Sequence, residues 1–210
     1  MHPLQTIIQN LKIPYFCHFT HKENLNSILE IGLLSTHLLT TLNIKFRRND
    51  FVRFDNHTNH ICLTIGYPNS RLFKTFREKY ESMPHDWVVL LIDPSVLWEI
   101  PSLFCHTNSA TRCGALIGNQ SEYFKSFFLD PATYTTNDVQ SFFPYLPIDE
   151  QAEVLVKEYI PKKYLLKCVS YDEPMYLNYS VKPDFFIKRK EFFWNRATYM
   201  NSKFSLQRKA

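Results

Sequence analysis

The sequence predicts an α+β domain, and three observations carry that prediction. Runs of strand character and amphipathic helical stripes follow one another without the strict alternation that builds a parallel sheet. The run Trp87–Asp93 (WVVLLID) is continuously hydrophobic up to its last residue, as expected of a strand covered on both faces. Glycine is scarce, 4 residues against 12 prolines, so turns must rest on Pro, Asn and Asp.

The elements follow in order. Ile13–His18 reads as a short strand that runs into Thr20-His21-Lys22-Glu23, a capping-box pattern that opens a helix. Leu25, Ile28 and Leu29 recur at helical spacing, and Gly32 supplies the stop. Asn43–Asn59 is polar and basic with no period and reads as a loop. His60–Tyr67 reads as a buried strand, after which Pro68 starts a helix with the apolar stripe Leu72, Phe73, Phe76 and Tyr80. Trp87–Asp93 is the next strand, expected near the middle of its sheet. Asn119–Phe128 reads as a helix, and Glu153–Val156 and Leu165–Ser170 as strands.

A chain of 210 residues accommodates one well-buried domain, taken here as residues 1–210. A hydrophobic content of 45% and an aromatic content of 16% exclude a disordered chain. No apolar run approaches the roughly 18 residues of a membrane span. The opening MHPLQTIIQNLK lacks the apolar block and cleavage site of a signal peptide, so a cytoplasmic protein away from membranes is expected. Five widely spaced cysteines (Cys17, Cys62, Cys105, Cys113, Cys168) read as reduced structural thiols.

Charge is unevenly placed. The segment Val181–Ala210 carries a net +6, so the remainder of a chain with net charge +4 sums to −2. Its basic residues (Lys182, Lys188, Arg189, Lys190, Arg196, Lys203, Arg208, Lys209) interleave with Phe185, Phe186, Phe192, Phe193, Trp194, Tyr199 and Phe204. That mixture suits a single-stranded nucleic acid whose bases can be stacked upon. A carboxy-terminal helix that buries its aromatics and solvates its lysines has the same composition, and the two readings stand side by side.

Several chemistries are excluded. The glycines Gly32, Gly66, Gly114 and Gly118 compose neither a G-x-G-x-x-G fingerprint nor a phosphate-binding loop, and no G-x-S-x-G nucleophile elbow is present. The His-x-x-His pairs His18/His21 and His57/His60 suggest metal, but a strand and a loop do not converge ligands at that spacing, and no metal is assigned.

Three separated segments stand out together. They are Phe16-Cys17-His18-Phe19-Thr20 with Asn24; Arg47, Arg48, Arg53 and Asp55 leading into Ile61–Ile65; and Gln151-Ala152-Glu153-Val154-Leu155-Val156. Glu153 sits at the entrance of an apolar strand, where a carboxylate has no packing reason to be.

The stretch H-F-T-x-x-x-N-L-x-x-I-L-x-x-G-L-L-S at His18–Ser35 resembles the opening motif of the DarT DNA ADP-ribosyltransferases. So do W-V-V-L-L-x-D-P-S-V-L-W at Trp87–Trp98, F-C-x-T-N-x-A at Phe104–Ala110, and Q-A-E-V-L-V at Gln151–Val156. The resemblance runs from about Ile13 to Tyr171, about three quarters of the chain. It implies the ADP-ribosyltransferase fold, split and twisted antiparallel-rich sheets around a cleft that holds NAD⁺ as co-substrate, with flanking helices.

The resemblance also implies roles. Glu153 would be the catalytic carboxylate, stabilising the oxocarbenium-like ribose and taking a proton from the incoming base; a solvated strand-end glutamate is the structural alternative. His18, Phe19, Thr20 and Asn24 would contact NAD⁺, with a core histidine and a helix cap as the rival roles for His18 and Thr20. An arginine of the loop after the first helix would hold the phosphates and reach the reacting end, a task suited to a planar bidentate donor. Arg48 and Arg53 are both candidates, and Arg53 is favoured because Arg53-x-Asp55 leads straight into a strand.

The segment HICLTIGYPN departs from the thymidine-modifying members and leans the target base weakly toward guanine. The family implies single-stranded DNA as acceptor and a toxin neutralised by a DarG-type macrodomain antitoxin; a monomer is expected. The competing readings are an ADP-ribosyltransferase acting on RNA or protein, and a catalytically inactive nucleic-acid-binding module on the same fold.

Overall fold

The computed structural model describes residues 1–48, 52–130, 139–172 and 183–207. Lys182, Arg208 and Lys209 of the basic segment lie outside the described residues. Helix α1 (Pro3–Leu11) begins on a proline that needs no hydrogen-bonded N–H there, capped by the His2 side chain. It buries Leu4, Ile7, Ile8 and Leu11, the i, i+3, i+4, i+7 face of a helix. Strand β1 (Phe16–His21) follows, then a 3-10 turn (Lys22–Asn24), α2 (Leu25–Ile31), β2 (Leu33–Leu34), α3 (Thr36–Thr41) and β3 (His60–Ile65). Next come α4 (Ser70–Lys79), β4 (Trp87–Ile92), α5 (Val96–Glu99), β5 (Ser102–Cys105) and α6 (Ser121–Lys125). The chain continues through β6 (Glu153–Lys157), β7 (Tyr159–Ile160), β8 (Leu165–Ser170), β9 (Phe186–Lys188) and α7 (Arg196–Gln207). Among the described residues no helix is long and apolar enough to cross a membrane.

The seven-stranded sheet runs β5-β6-β3-β1-β4-β8-β9, and β2 pairs with β7 in a small second sheet. All pairs are antiparallel except β8 with β9. The predicted α+β class therefore stands, and β4 is an interior strand as expected. Its six residues are all buried because each face has a core of its own. Val88, Leu90 and Ile92 point into the larger cluster with α1 and α2 residues. Trp87, Val89 and Leu91 alternate into a second cluster with Phe73 and Phe76 of α4 and with Phe192 and Phe193.

Where element boundaries differ from the sequence expectations, pairing and packing explain the change. The first strand starts at Phe16 and reaches His21 because β4 pairs with it along its whole length, Phe16 opposite Ile92 and His21 opposite Trp87. Thr20 stays in that strand, so no capping box forms there; the His21 ring instead accepts from the Glu23 N–H and starts the 3-10 turn. Asn69, not Pro68, caps α4, accepting from the Leu72 N–H at 3.0 Å. The helix expected over Asn119–Phe128 shortens to Ser121–Lys125, since Phe127 and Phe128 turn tightly with i→i−3 bonds to Phe124 and Lys125.

The aromatics of the basic segment are mostly core. Phe186, Phe192, Phe193 and Tyr199 are buried, Phe185 and Phe204 half-buried, and Trp194 is exposed. Arg196 is buried as well and donates to the Ile148 carbonyl at 3.0 Å. Stacking on nucleic acid is thereby withdrawn as the explanation of those four buried rings; hydrophobic packing accounts for them.

Candidate active site

The site arises where the large sheet parts. β1 pairs with β3 at Phe16–Ile65 and Cys17–Thr64 and no further, while β3 continues alongside β6 from Thr64 to His60. From His18 onward the two middle strands diverge, and a cavity of about 440 Å³ fills the gap. Residues from both faces of β1 line it, together with α2, the loop carrying Arg48 and Arg53, one side of α4 from Leu72 to Lys79, and Glu153. That volume lies in the range of small-molecule sites, roughly 300–1,000 Å³.

Glu153 opens β6, opposite Thr64 of β3 and Cys105 of β5. Only 3% of it is exposed, so it is a buried carboxylate and not a solvated strand end. Its Oε2 accepts from the Ser109 N–H at 2.8 Å. Burial pushes its pKa up, opposed by hydrogen bonding from Ser109 and by the charge of Arg53.

His18, on β1, lines the same cavity. Its Nδ1 is 3.0 Å from the Cys62 carbonyl, across the diverging strands. A carbonyl only accepts, so Nδ1 carries the proton and Nε2 keeps its lone pair for another partner. Burial holds its pKa below the usual histidine value, so the ring is neutral.

Thr20 and Asn24 form a brace. Asn24 Nδ2 donates to Thr20 Oγ1 at 3.0 Å and to the Arg47 carbonyl at 2.9 Å, while its Oδ1 accepts from the Arg47 N–H at 2.7 Å. Both amide protons are engaged, so Asn24 pins the arginine loop to β1; Thr20 retains its own hydroxyl proton. Phe19 also lines the cavity; its ring stacks on Phe73 at 4.7 Å and meets Trp87 edge-on.

The two candidate arginines differ sharply. Arg53 makes a bidentate pair with Asp55, Nε to Oδ1 at 3.0 Å and Nη2 to Oδ2 at 2.7 Å. Its remaining bonds reach the carbonyls of His60 and His57. Arg53 is thus held almost fully by the protein. Arg48 lies over the Phe46 ring, 5.5 Å from its centroid, and lines the same cavity.

Two further residues belong to the site. Ser109 bonds both carboxylates of the site, its Oγ donating to Asp55 Oδ2 at 3.1 Å. Asn69 is fully buried, lines the cavity, and its Nδ2 has no partner among the described residues. Neither carries a sequence signal beyond its place in F-C-x-T-N-x-A or after proline. The histidine pairs do not converge on a metal: His18 and His21 project from opposite faces of β1, and the His57 ring packs edge-on to His60 at 5.3 Å. No group of metal-binding side chains occurs among the described residues. All five cysteines are free, and four of them lie in strands.

A family model described as "ssDNA thymidine ADP-ribosyltransferase, DarT" matches residues 17–194. The chain belongs to the DarT family. It is a DarT-type ADP-ribosyltransferase of single-stranded DNA. The family description names thymidine, against the leaning toward guanine drawn from HICLTIGYPN. No curated protein matches the sequence.

Solved structures share the fold. Thermus sp. 2.9 DarT in complex with NAD⁺ is 15% identical, with a TM-score of 0.60 over 87% of this chain and 98% of that one. The same protein in complex with ADP-ribosylated ssDNA gives 13% identity and a TM-score of 0.59, over 87% and 97% of the two chains. Thermosipho africanus DarTG in complex with ADP-ribose gives 16% identity and a TM-score of 0.56, over 85% of this chain and 50% of that one.

Proposed function

We propose that this DarT-family chain transfers ADP-ribose from NAD⁺ to thymidine in single-stranded DNA, with Glu153 as the catalytic carboxylate. One observation carries the assignment: a buried carboxylate shares the parted-strand cavity with a neutral His18 whose Nε2 is free to accept. The solved relatives bound to NAD⁺ and to ADP-ribosylated ssDNA support the substrates. In the reaction the nicotinamide–ribose bond breaks and its electron pair leaves with nicotinamide. The ionised Glu153 carboxylate stabilises the positive charge left on the ribose. A ring nitrogen of the base then bonds to that carbon, and its proton passes to Glu153.

The arginines divide the work in this reading. Arg48, uncommitted to any protein acceptor among the described residues, takes the NAD⁺ phosphates, while Arg53 supplies a fixed positive charge near Glu153. Arg48→Ala is then expected to raise KM for NAD⁺ about tenfold or more with a smaller change in kcat, the signature of lost ground-state binding. A kcat loss at unchanged KM would move Arg48 out of the phosphate role. The DarTG relative, half of whose length this chain covers, supports a DarG-type macrodomain partner that reverses the mark in the cytoplasm.

The base is tested by incubating the protein with NAD⁺ and single-stranded oligonucleotides, digesting to nucleosides and measuring their masses. ADP-ribosyl-thymidine is the expected product; a product on deoxyguanosine alone would reinstate guanine.

A further inference from the structure

The carboxylate of Glu153 is tied to the Arg53–Asp55 pair through one residue. Ser109 donates its main-chain N–H to Glu153 Oε2 at 2.8 Å and its hydroxyl to Asp55 Oδ2 at 3.1 Å. Ser109 is itself buried, as are both carboxylates. The chain that carries it, Asn108–Gly114, reaches Asp55 a second time: a Cβ on Gly114 would fall 2.8 Å from the Asp55 carbonyl oxygen. Arg112, Cys113 and Gly114 hold three successive left-handed conformations (φ 50°, 54° and 85°) to make that approach. Side chains disfavour this backbone, which persists where surrounding contacts impose it.

We propose that Ser109 is a positioning residue that sets Glu153 and the Arg53–Asp55 pair in a fixed relation, with Asn108–Gly114 as the brace behind it. The proposal rests on Glu153 being the catalytic carboxylate. Two hydrogen-bond donors from one residue fix a distance between two carboxylates that would otherwise repel. The Ser109 N–H also favours the ionised form of Glu153, the form that stabilises a cationic ribose. The other groups facing Glu153 are Arg53 and Asp55 from the loop before β3, Cys62 on β3 and Cys105 on β5. Burial raises the pKa of both thiols, which keeps them neutral, and leaves Ser109, Arg53 and Asp55 to set the carboxylate's charge.

The test is the pH dependence of kcat with NAD⁺ and a single-stranded oligonucleotide, for the parent protein, Ser109→Ala, Ser109→Thr and Glu153→Gln. Ser109→Ala keeps the N–H and loses the hydroxyl. The Asp55 charge, which disfavours ionised Glu153, then has one hydrogen bond fewer, so the acidic limb is expected to move up by about one pH unit, a tenfold change in ionised Glu153 at a given acidic pH. Activity should recover on the alkaline side, with KM for NAD⁺ little changed. Ser109→Thr, which retains a hydroxyl, should restore the parent profile. If rates prove too low, carboxyl-carbon NMR of labelled Ser109→Ala reads the same displacement directly. A loss uniform across pH, or an unmoved profile, overturns the positioning role and leaves Ser109 as packing. A still-active Glu153→Gln would instead overturn the catalytic assignment itself, so the two failures are separate.

Discussion

Glu153→Gln lowers kcat by about 10²–10⁴-fold, the range for removing a positioned acid–base or charge-stabilising group, and leaves the protein no less stable. The second half of that result is the more diagnostic. Glu153 has its pKa raised in the folded state, so the unfolded chain gives up this proton at lower pH. Above the folded value the native state must hold a buried charge, and this group therefore detracts from stability at neutral pH. Glutamine keeps the shape and an oxygen to accept from the Ser109 N–H, but carries no charge. The variant's melting temperature should therefore equal or exceed the parent's near neutrality. Unimpaired transfer by a folded Glu153→Gln protein would end the catalytic assignment.

Arg53→Ala has the largest expected effect on stability, about 3–5 kcal/mol, because it strands one partner of a buried pair. Asp55 is 2% exposed and would keep its charge with the bidentate guanidinium gone. The carbonyls of His57 and His60 lose their donors in the same step. Urea denaturation measures the loss as a fall in midpoint. The pH dependence checks its cause. In the parent protein the Asp55 pKa is depressed, with its arginine bonds opposing burial, so its contribution is present above the usual carboxylate range and lost as pH falls through the depressed value. In the variant acidification neutralises a stranded charge, and the deficit relative to the parent should shrink as pH falls toward about 4. A deficit below about 1 kcal/mol would show that Arg53 is free to serve the ligand.

Local patterns in the chain revealed much of this arrangement. WVVLLID disclosed β4 because a strand covered on both faces leaves no polar position, and the glutamate of Q-A-E-V-L-V stood out against an otherwise apolar run. His18 and Thr20 came from a family motif whose alternation places them on one face of β1. What stayed hidden depends on contacts between distant residues. Arg53-x-Asp55 favours Arg53 as the phosphate-holding arginine because it leads straight into a strand, and nothing in that spacing announces that the two side chains close on each other. Ser109 meets Glu153 across a separation of 44 residues, and serine in a loop announces nothing. The aromatics near the carboxy terminus looked ambiguous because burial, not composition, distinguishes a stacking platform from a core.

The short ladder between β1 and β3 has a further consequence. Beyond Cys17 and Thr64 the edge of β3 that faces the opening has two of its carbonyls taken by side chains, Cys62 by His18 and His60 by Arg53. The parting of the strands is thus propped by side chains where a ladder would otherwise run. Substituting either prop would alter the shape of the opening as well as its chemistry.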